Sequence, residues 1–207
     1  MPNFEQDLNH EKILATYLDR IYKLKGYAVE RPNNINKQHR GVDLILQKDG
    51  KEFFIDEKAQ LHYLNANLPT FTFELSYLNK SGFIKTGWFL DKSKETNFYF
   101  LVTNIMLKDN LKVLRMPEDI TTLKITAVSR RHLKEYLSKK GLTEKQLSEY
   151  DAEIRHKAQY GRNSIKELDS KREGLMFYTA HLQEKPMNLQ LRLDFLIKAK
   201  VGKRIFP

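Results

Sequence analysis

Two short apolar segments carry charged side chains at positions where chemistry could be done. The first is Val42-Asp43-Leu44-Ile45-Leu46, and the second is Phe54-Ile55-Asp56-Glu57-Lys58-Ala59-Gln60. Their apolar content predicts strands over Val42–Gln47 and Glu52–Gln60. Between them, Lys48-Asp49-Gly50-Lys51 holds an Asp-Gly pair, the chemistry of a tight hairpin turn. Side chains alternate along a strand, so Asp56, Lys58 and Gln60 share one face and Glu57 points the other way. A carboxylate on each of two paired strands brings oxygen ligands to one point. Hard cations such as Mg²⁺ want such ligands and combine a few of them with water and phosphate. A lysine two residues on can position and deprotonate an attacking water, or offset charge on a phosphate.

Gly41-Val42-Asp43 and, after twelve intervening residues, Asp56-Glu57-Lys58 with Gln60 behind resemble the motif of the PD-(D/E)XK nuclease superfamily. The resemblance covers about residues 4–105, roughly half the chain. It implies an α/β fold of restriction-endonuclease-like type: a mixed β-sheet flanked by helices, with a basic α+β C-terminal extension. It implies Asp43 and Asp56 as ligands of Mg²⁺ or Mn²⁺ and Lys58 as the catalytic lysine. Gln60 matches a glutamine that some subfamilies add. Many members place a glutamate on the helix before the hairpin, and Glu11 fits that position as a further metal ligand. The implied activity is metal-dependent hydrolysis of phosphodiester bonds, by an endonuclease or exonuclease. DNA is the expected partner, RNA a second candidate, and a homodimer is compatible with cutting a duplex. Val42 stands where the family has proline. Glu57 is a rival to Asp56, because a bulge would bring it to the metal face.

Other readings of the same residues stay open. Asp43 could pair with Arg40 or Lys58, and Asp56 with Lys58 could be an ordinary cross-strand charge pair. Glu11 could simply favour a helix N-terminus. A non-catalytic nucleic-acid-binding protein with a degenerate core, or a small protein whose basic face binds an acidic partner, would carry the same charge.

The elements that must position these residues are legible in part. Ile13, Leu14, Tyr17, Leu18, Ile21 and Leu24 fall at helical spacing over Phe4–Lys25, with Gly26 as a stop. Glu11 precedes Leu14 and Leu18 by three and seven residues, on the expected buried stripe. Ala28–Glu30 reads as a short strand and the polar Arg31–Arg40 as a loop. Thr70–Leu78, Gly87–Leu90 and Asn97–Ile105 read as strands, as does a short segment in the 110s, while Asp119–Val128 is ambiguous. Within the first of these, Glu74 alternates with Phe71, Phe73 and Leu75 and is expected to be solvated. Ser129 and Thr143 are placed to cap two helices that meet at Gly141-Leu142, an arrangement similar to any helical hairpin, helix-turn-helix included. A polar loop over Gly161–Arg172, a strand over Gly174–His181 and a helix over Leu189–Lys200 complete the reading. The expected division is a nuclease-like core over 1–115 and a basic extension over 116–207.

Charge points to the kind of partner. The 207 residues hold 36 Lys and Arg against 26 Asp and Glu, a net charge of +10, and an anionic partner suits that balance. Residues 1–115 carry net +3 and residues 116–207 carry net +7. Arg130, Arg131 and Lys134, then Lys198, Lys203 and Arg204, form the clusters expected to hold a phosphate backbone. No cysteine is present, which excludes disulfides, thiol nucleophiles and cysteine-ligated metal. The histidines lack metal-ligand spacing, and no phosphate-binding glycine loop or serine nucleophile motif occurs. No apolar run approaches a membrane span, and MPNFEQDLNHEK has no basic-then-apolar leader, so a cytoplasmic location is expected and no membrane partner.

Overall fold

One apolar stripe fixes how the first helix meets the first sheet. Helix α1 (Phe4–Leu24) buries Leu14, Leu18, Ile21 and Tyr22 against Leu44, Leu46, Ile55, Phe100 and Val102. The computed structural model describes residues 4–32 and 34–206. The N-terminal leader reading therefore falls in part on residues outside those described. After α1 come strand β1 (Ala28–Glu30), helix α2 (Ile35–His39), and the hairpin of β2 (Leu44–Lys48) with β3 (Lys51–Ala59). Asp49 and Gly50 both take positive φ, 51° and 71°, which matches the right-handed twist of the flanking strands. The register runs from Leu44 opposite Ile55 to Lys48 opposite Lys51.

Strand β6 (Phe98–Leu107) lies parallel to β3, with Ile55 beside Phe98 and Asp56 beside Tyr99. Parallel neighbours need a long crossover. Here the crossover leaves the sheet to form β4 (Thr70–Leu78) and β5 (Ile84–Thr86), which belong to a second sheet. Strands β7 (Ile120–Ser129) and β11 (Gly202–Phe206) complete the first sheet, in the order β1-β2-β3-β6-β7-β11. It is a mixed sheet, and the protein is of the α/β class.

The second sheet adds β8 (Gly161–Asn163), β9 (Gly174–Tyr178) and β10 (Met187–Arg192), in the order β5-β4-β10-β9-β8 with every pair antiparallel. Its helices are α3 (Arg130–Lys139), α4 (Glu144–His156) and α5 (Leu193–Lys198). Ser129 Oγ accepts from the His132 amide and Thr143 Oγ1 from the Gln146 amide, so both expected caps form. Among the described residues, no helix is long and apolar enough to cross a membrane.

The chain divides differently from the expected 1–115 and 116–207. One unit is Met1–Leu68 with Glu95–Val128 and Arg204–Pro207, and the other is Pro69–Lys94 with Ser129–Lys203. The reason is strand exchange: β4, with β5 on its outer edge, pairs with β10 from the C-terminal half, while β7 and most of β11 belong to the N-terminal sheet. Several local expectations are corrected as well. The loop over 31–40 contains α2, whose N-cap Asn34 accepts from the Asn36 amide. Gly87–Leu90 is a turn, and the 110s hold no strand. Asp119–Val128 resolves as β7. The helix expected over Leu189–Lys200 is strand β10 followed by the short α5, because Met187, Leu189 and Leu191 alternate into the sheet's core.

Candidate active site

Asp43 is set by the chain that delivers it. The turn before it takes a positive φ at Gly41, whose carbonyl accepts a 2.6 Å hydrogen bond from Thr96 Oγ1. The Asp43 amide then donates to Ile55 O at 2.9 Å. Asp43 stands just ahead of β2 rather than inside a strand, beyond the paired Leu44 and Ile55, and its carboxyl lies within hydrogen-bonding reach of that of Asp56. Its Oδ2 accepts from the Glu57 amide at 3.1 Å, where the β2 ladder ends and that donor would otherwise lack a partner.

Asp56 is buried, its side chain 3 % exposed, and its Oδ1 lies 2.6 Å from Lys58 Nζ. Burial pushes its carboxyl up to about 7; the Asp43 carboxylate adds to the shift and the Lys58 ammonium opposes it. Burial alone would lower Lys58, but Asp56, Asp43 and Glu11 outweigh it and hold the amine above its ordinary value. Lys58 is therefore an ammonium at neutral pH, better suited to offsetting negative charge than to removing a proton. Glu11 is exposed, not on the buried stripe of α1. Its carboxyl is raised by partial burial and by Asp43, and lowered by Lys58, so it lies within electrostatic reach of that group of charges. Gln60 follows the end of β3, with its amide bonded to Val102 O at 3.0 Å.

Glu57 occupies the other face. Tyr22 Oη donates to its Oε1 at 2.7 Å and Arg31 Nη1 to its Oε2 at 2.5 Å, while Arg31 also holds Asp19 at 2.8 Å. This network ties β3 to α1 and to the segment after β1. It engages both carboxylate oxygens of Glu57 away from Asp43 and Asp56. Tyr22 and Arg31 gave no signal in the sequence. One sits on an apolar stripe and the other in a polar loop, far along the chain from Glu57.

The residues fit a divalent cation in one respect. Two carboxylates are crowded together, one of them buried and pushed up, and a positive charge between them would relieve their repulsion. In the structure Lys58 supplies positive charge to Asp56. Among the described residues, no group of three or more His, Asp or Glu side chains is arranged to hold a metal ion, so the expected Asp43–Asp56–Glu11 set is not assembled as a triad.

The basic clusters behave unevenly. Arg130 donates to the Asp91 carbonyl at 2.8 Å, and Lys134 binds Glu144 at 3.0 Å. Lys198 and Lys203 are exposed, Arg131 stays exposed beside Glu135 at 3.9 Å, and Arg204 is half-buried. Scans against protein-family models, curated proteins and solved structures give no match.

The two faces of β3 make opposite predictions. Glu57→Gln is expected to lower stability by about 1–3 kcal/mol, because it weakens charge-assisted hydrogen bonds at a largely buried site. Well below its melting temperature the variant is expected to keep any activity of the Asp43–Asp56–Lys58 group. Chemical denaturation beside a cleavage assay measures both. Near-wild-type stability with lost activity would move the metal role to Glu57.

Proposed function

We propose that this protein is a metal-dependent nuclease that hydrolyses phosphodiester bonds, with DNA as its substrate. The observation that carries the reading is that the carboxyl groups of Asp43 and Asp56 lie side by side, with Lys58 paired to Asp56. The order of helix, antiparallel hairpin and a parallel third strand supports a restriction-endonuclease-like core within the first unit. Asp43 and Asp56 would hold Mg²⁺ or Mn²⁺, with Glu11 of α1 within electrostatic reach. A bound divalent ion supplies a lowered pKa for water and charge neutralisation at the phosphate. Lys58, kept protonated, adds a second positive charge for the phosphoryl oxygens. The Glu57 amide, bonded to Asp43, fixes the direction of that carboxylate.

The direct test is incubation of single-stranded and duplex DNA, and RNA, with the protein in Mg²⁺, in Mn²⁺ and in EDTA. Metal-dependent cleavage supports the reading, and no cleavage under any of these conditions overturns it. One observation favours a second reading, a non-catalytic nucleic-acid-binding protein: the Lys58 ammonium already engages the Asp56 carboxylate at 2.6 Å, as in a structural ion pair. That protein would bind DNA equally with and without the divalent ion.

Either reading needs cations that meet phosphates, and the exposed ones are placed to do so. Replacing Arg131, Lys198 and Lys203 together by glutamine is expected to flatten the slope of log K against log[salt] on duplex DNA. Each phosphate that is no longer neutralised should remove about 0.9 from that slope. Lys134→Gln is expected to leave the slope nearly unchanged, because Glu144 already engages that ammonium. Salt titrations in Ca²⁺, used to support binding without cleavage, give both numbers. An unchanged slope in the triple variant would reduce these residues to a solvated face.

A further inference from the structure

The hairpin that joins β4 to β5 presents apolar side chains to solvent on a stiff turn. Phe83 is 68 % exposed and Ile84 59 %. The turn is built by Asn79, whose Oδ1 accepts from the amides of Ser81 and Phe83 at 3.0 and 2.9 Å. Its amide also donates to Phe83 O at 2.9 Å, and the Gly82 amide returns to Asn79 O. Gly82 has a φ of 79°, a conformation other residues adopt only with strain. Leu78 N donates to Glu184 O at 2.7 Å and ties the base of the hairpin to the loop before β10. The backbone of the turn is thus tied down, and the aromatic ring it carries projects into solvent.

Charge and size indicate what covers it. Residues 76–86, SYLNKSGFIKT, contain Lys80 and Lys85 and no acid, in a chain of net charge +10. Both lysines are exposed, one on each side of Phe83 along the chain. Two side chains offer a few hundred Å² at most, far below the roughly 1,200 Å² of a stable protein interface. Self-association on this edge would also bring like charges together. One exposed aromatic ring flanked along the chain by two exposed lysines matches one nucleotide: a base face for the ring, and phosphates for the lysines.

We propose that the β4–β5 hairpin tip is a nucleic-acid contact in which Phe83 stacks on an unpaired base and Lys80 and Lys85 face the flanking phosphates. The proposal rests on nucleic acid being the partner of this protein, but not on cleavage.

The test is fluorescence binding in EDTA, where no metal-dependent cleavage occurs, using an oligonucleotide with 2-aminopurine as reporter, single-stranded and in a duplex. Wild-type protein is expected to quench the reporter in the single strand. Phe83→Ala is expected to bind about tenfold more weakly and to lose the quench, with an unchanged melting temperature because the ring is exposed. Phe83→Trp is expected to restore binding to within about twofold of wild type. Lys80→Gln with Lys85→Gln is expected to flatten the salt slope on single strands by about 1.4. Wild-type affinity in Phe83→Ala, failure of tryptophan to rescue, or equal Phe83-dependent binding to intact duplex would overturn the proposal. So would a concentration-dependent dimer abolished by Phe83→Ala, which would assign the tip to a second copy of the chain. The outcome separates from that of the nuclease reading. Phe83-dependent quenching without any cleavage in Mg²⁺ keeps the hairpin contact and removes the nuclease. Cleavage with a silent Phe83 does the reverse.

Discussion

Replacing Lys58 with alanine is expected to lower cleavage by about 10²–10³-fold, the usual effect of removing one preorganised charge from a reacting oxygen. The fold should survive, since the Lys58 side chain is 32 % exposed and its main polar partner is Asp56. The loss has two physical parts. The phosphate no longer meets an ammonium, and Asp56 loses the charge that opposes its protonation. Burial and Asp43 already push Asp56 up to about 7, so without Lys58 it is expected to stay neutral to higher pH and to bind a cation less well. The pH at which cleavage rises should therefore move upward in Lys58→Ala, whereas Lys58→Arg, which keeps the charge, should leave it nearly in place. Cleavage rates from pH 6 to 9 at a fixed, subsaturating Mg²⁺ concentration measure this. Full activity in Lys58→Ala would remove the lysine from the chemistry.

The parts of this arrangement that could be read from sequence are those set by neighbouring residues. Asp49-Gly50 specifies a turn by its own backbone preferences, and that turn fixes the register that pairs Leu44 with Ile55 and so brings Asp43 beside Asp56. Ser129 and Thr143 cap helices through amides three residues away. What escaped the sequence depends on distant partners. Strand β10 lies in a segment where Leu189, Leu193 and Leu196 also fit a helical period, and its pairing with β4, more than a hundred residues earlier, decides the outcome. The interleaved units follow from the same long-range exchange of strands. On β3, alternation set Asp56 on the face of Lys58, and a bulge would have exchanged it for Glu57. The network of Tyr22, Arg31 and Asp19 holds Glu57 on the α1 face, through side chains that no local pattern announces. The exposed setting of Glu11 has a related cause: helical spacing puts it near the line of Leu14 and Leu18, but the buried stripe of α1 runs through His10, four residues before Leu14, and leaves Glu11 at its edge.

Asp56→Asn is expected to abolish metal-dependent activity while making the metal-free protein more resistant to unfolding at alkaline pH. The sign follows from the direction of the shift. Asp56 has a folded-state pKa of about 7, above its ordinary 3.8, so the folded protein prefers the protonated form. The resulting stabilisation is fully present below pH 4 and is lost as pH rises through about 7. Asparagine carries no charge to desolvate, so the variant escapes that loss. In EDTA its melting temperature should fall less than that of wild type between pH 5 and 8, and exceed it at pH 8. For a chain of this size, each kcal/mol is worth about 2–4 °C. Lys58 loses its ionised partner in the variant, which offsets part of the gain. With Mg²⁺ or Mn²⁺ the order should reverse. Wild type gains about 2.7 kcal/mol at a hundred times the dissociation constant, while the variant gains nothing. A buried carboxylate that weakens the empty protein and strengthens the metal-bound one is held there for its ligand. An Asp56→Asn protein that melts lower than wild type in EDTA at pH 8, or that still gains stability from the metal, would make the Asp56–Lys58 pair an ordinary structural ion pair.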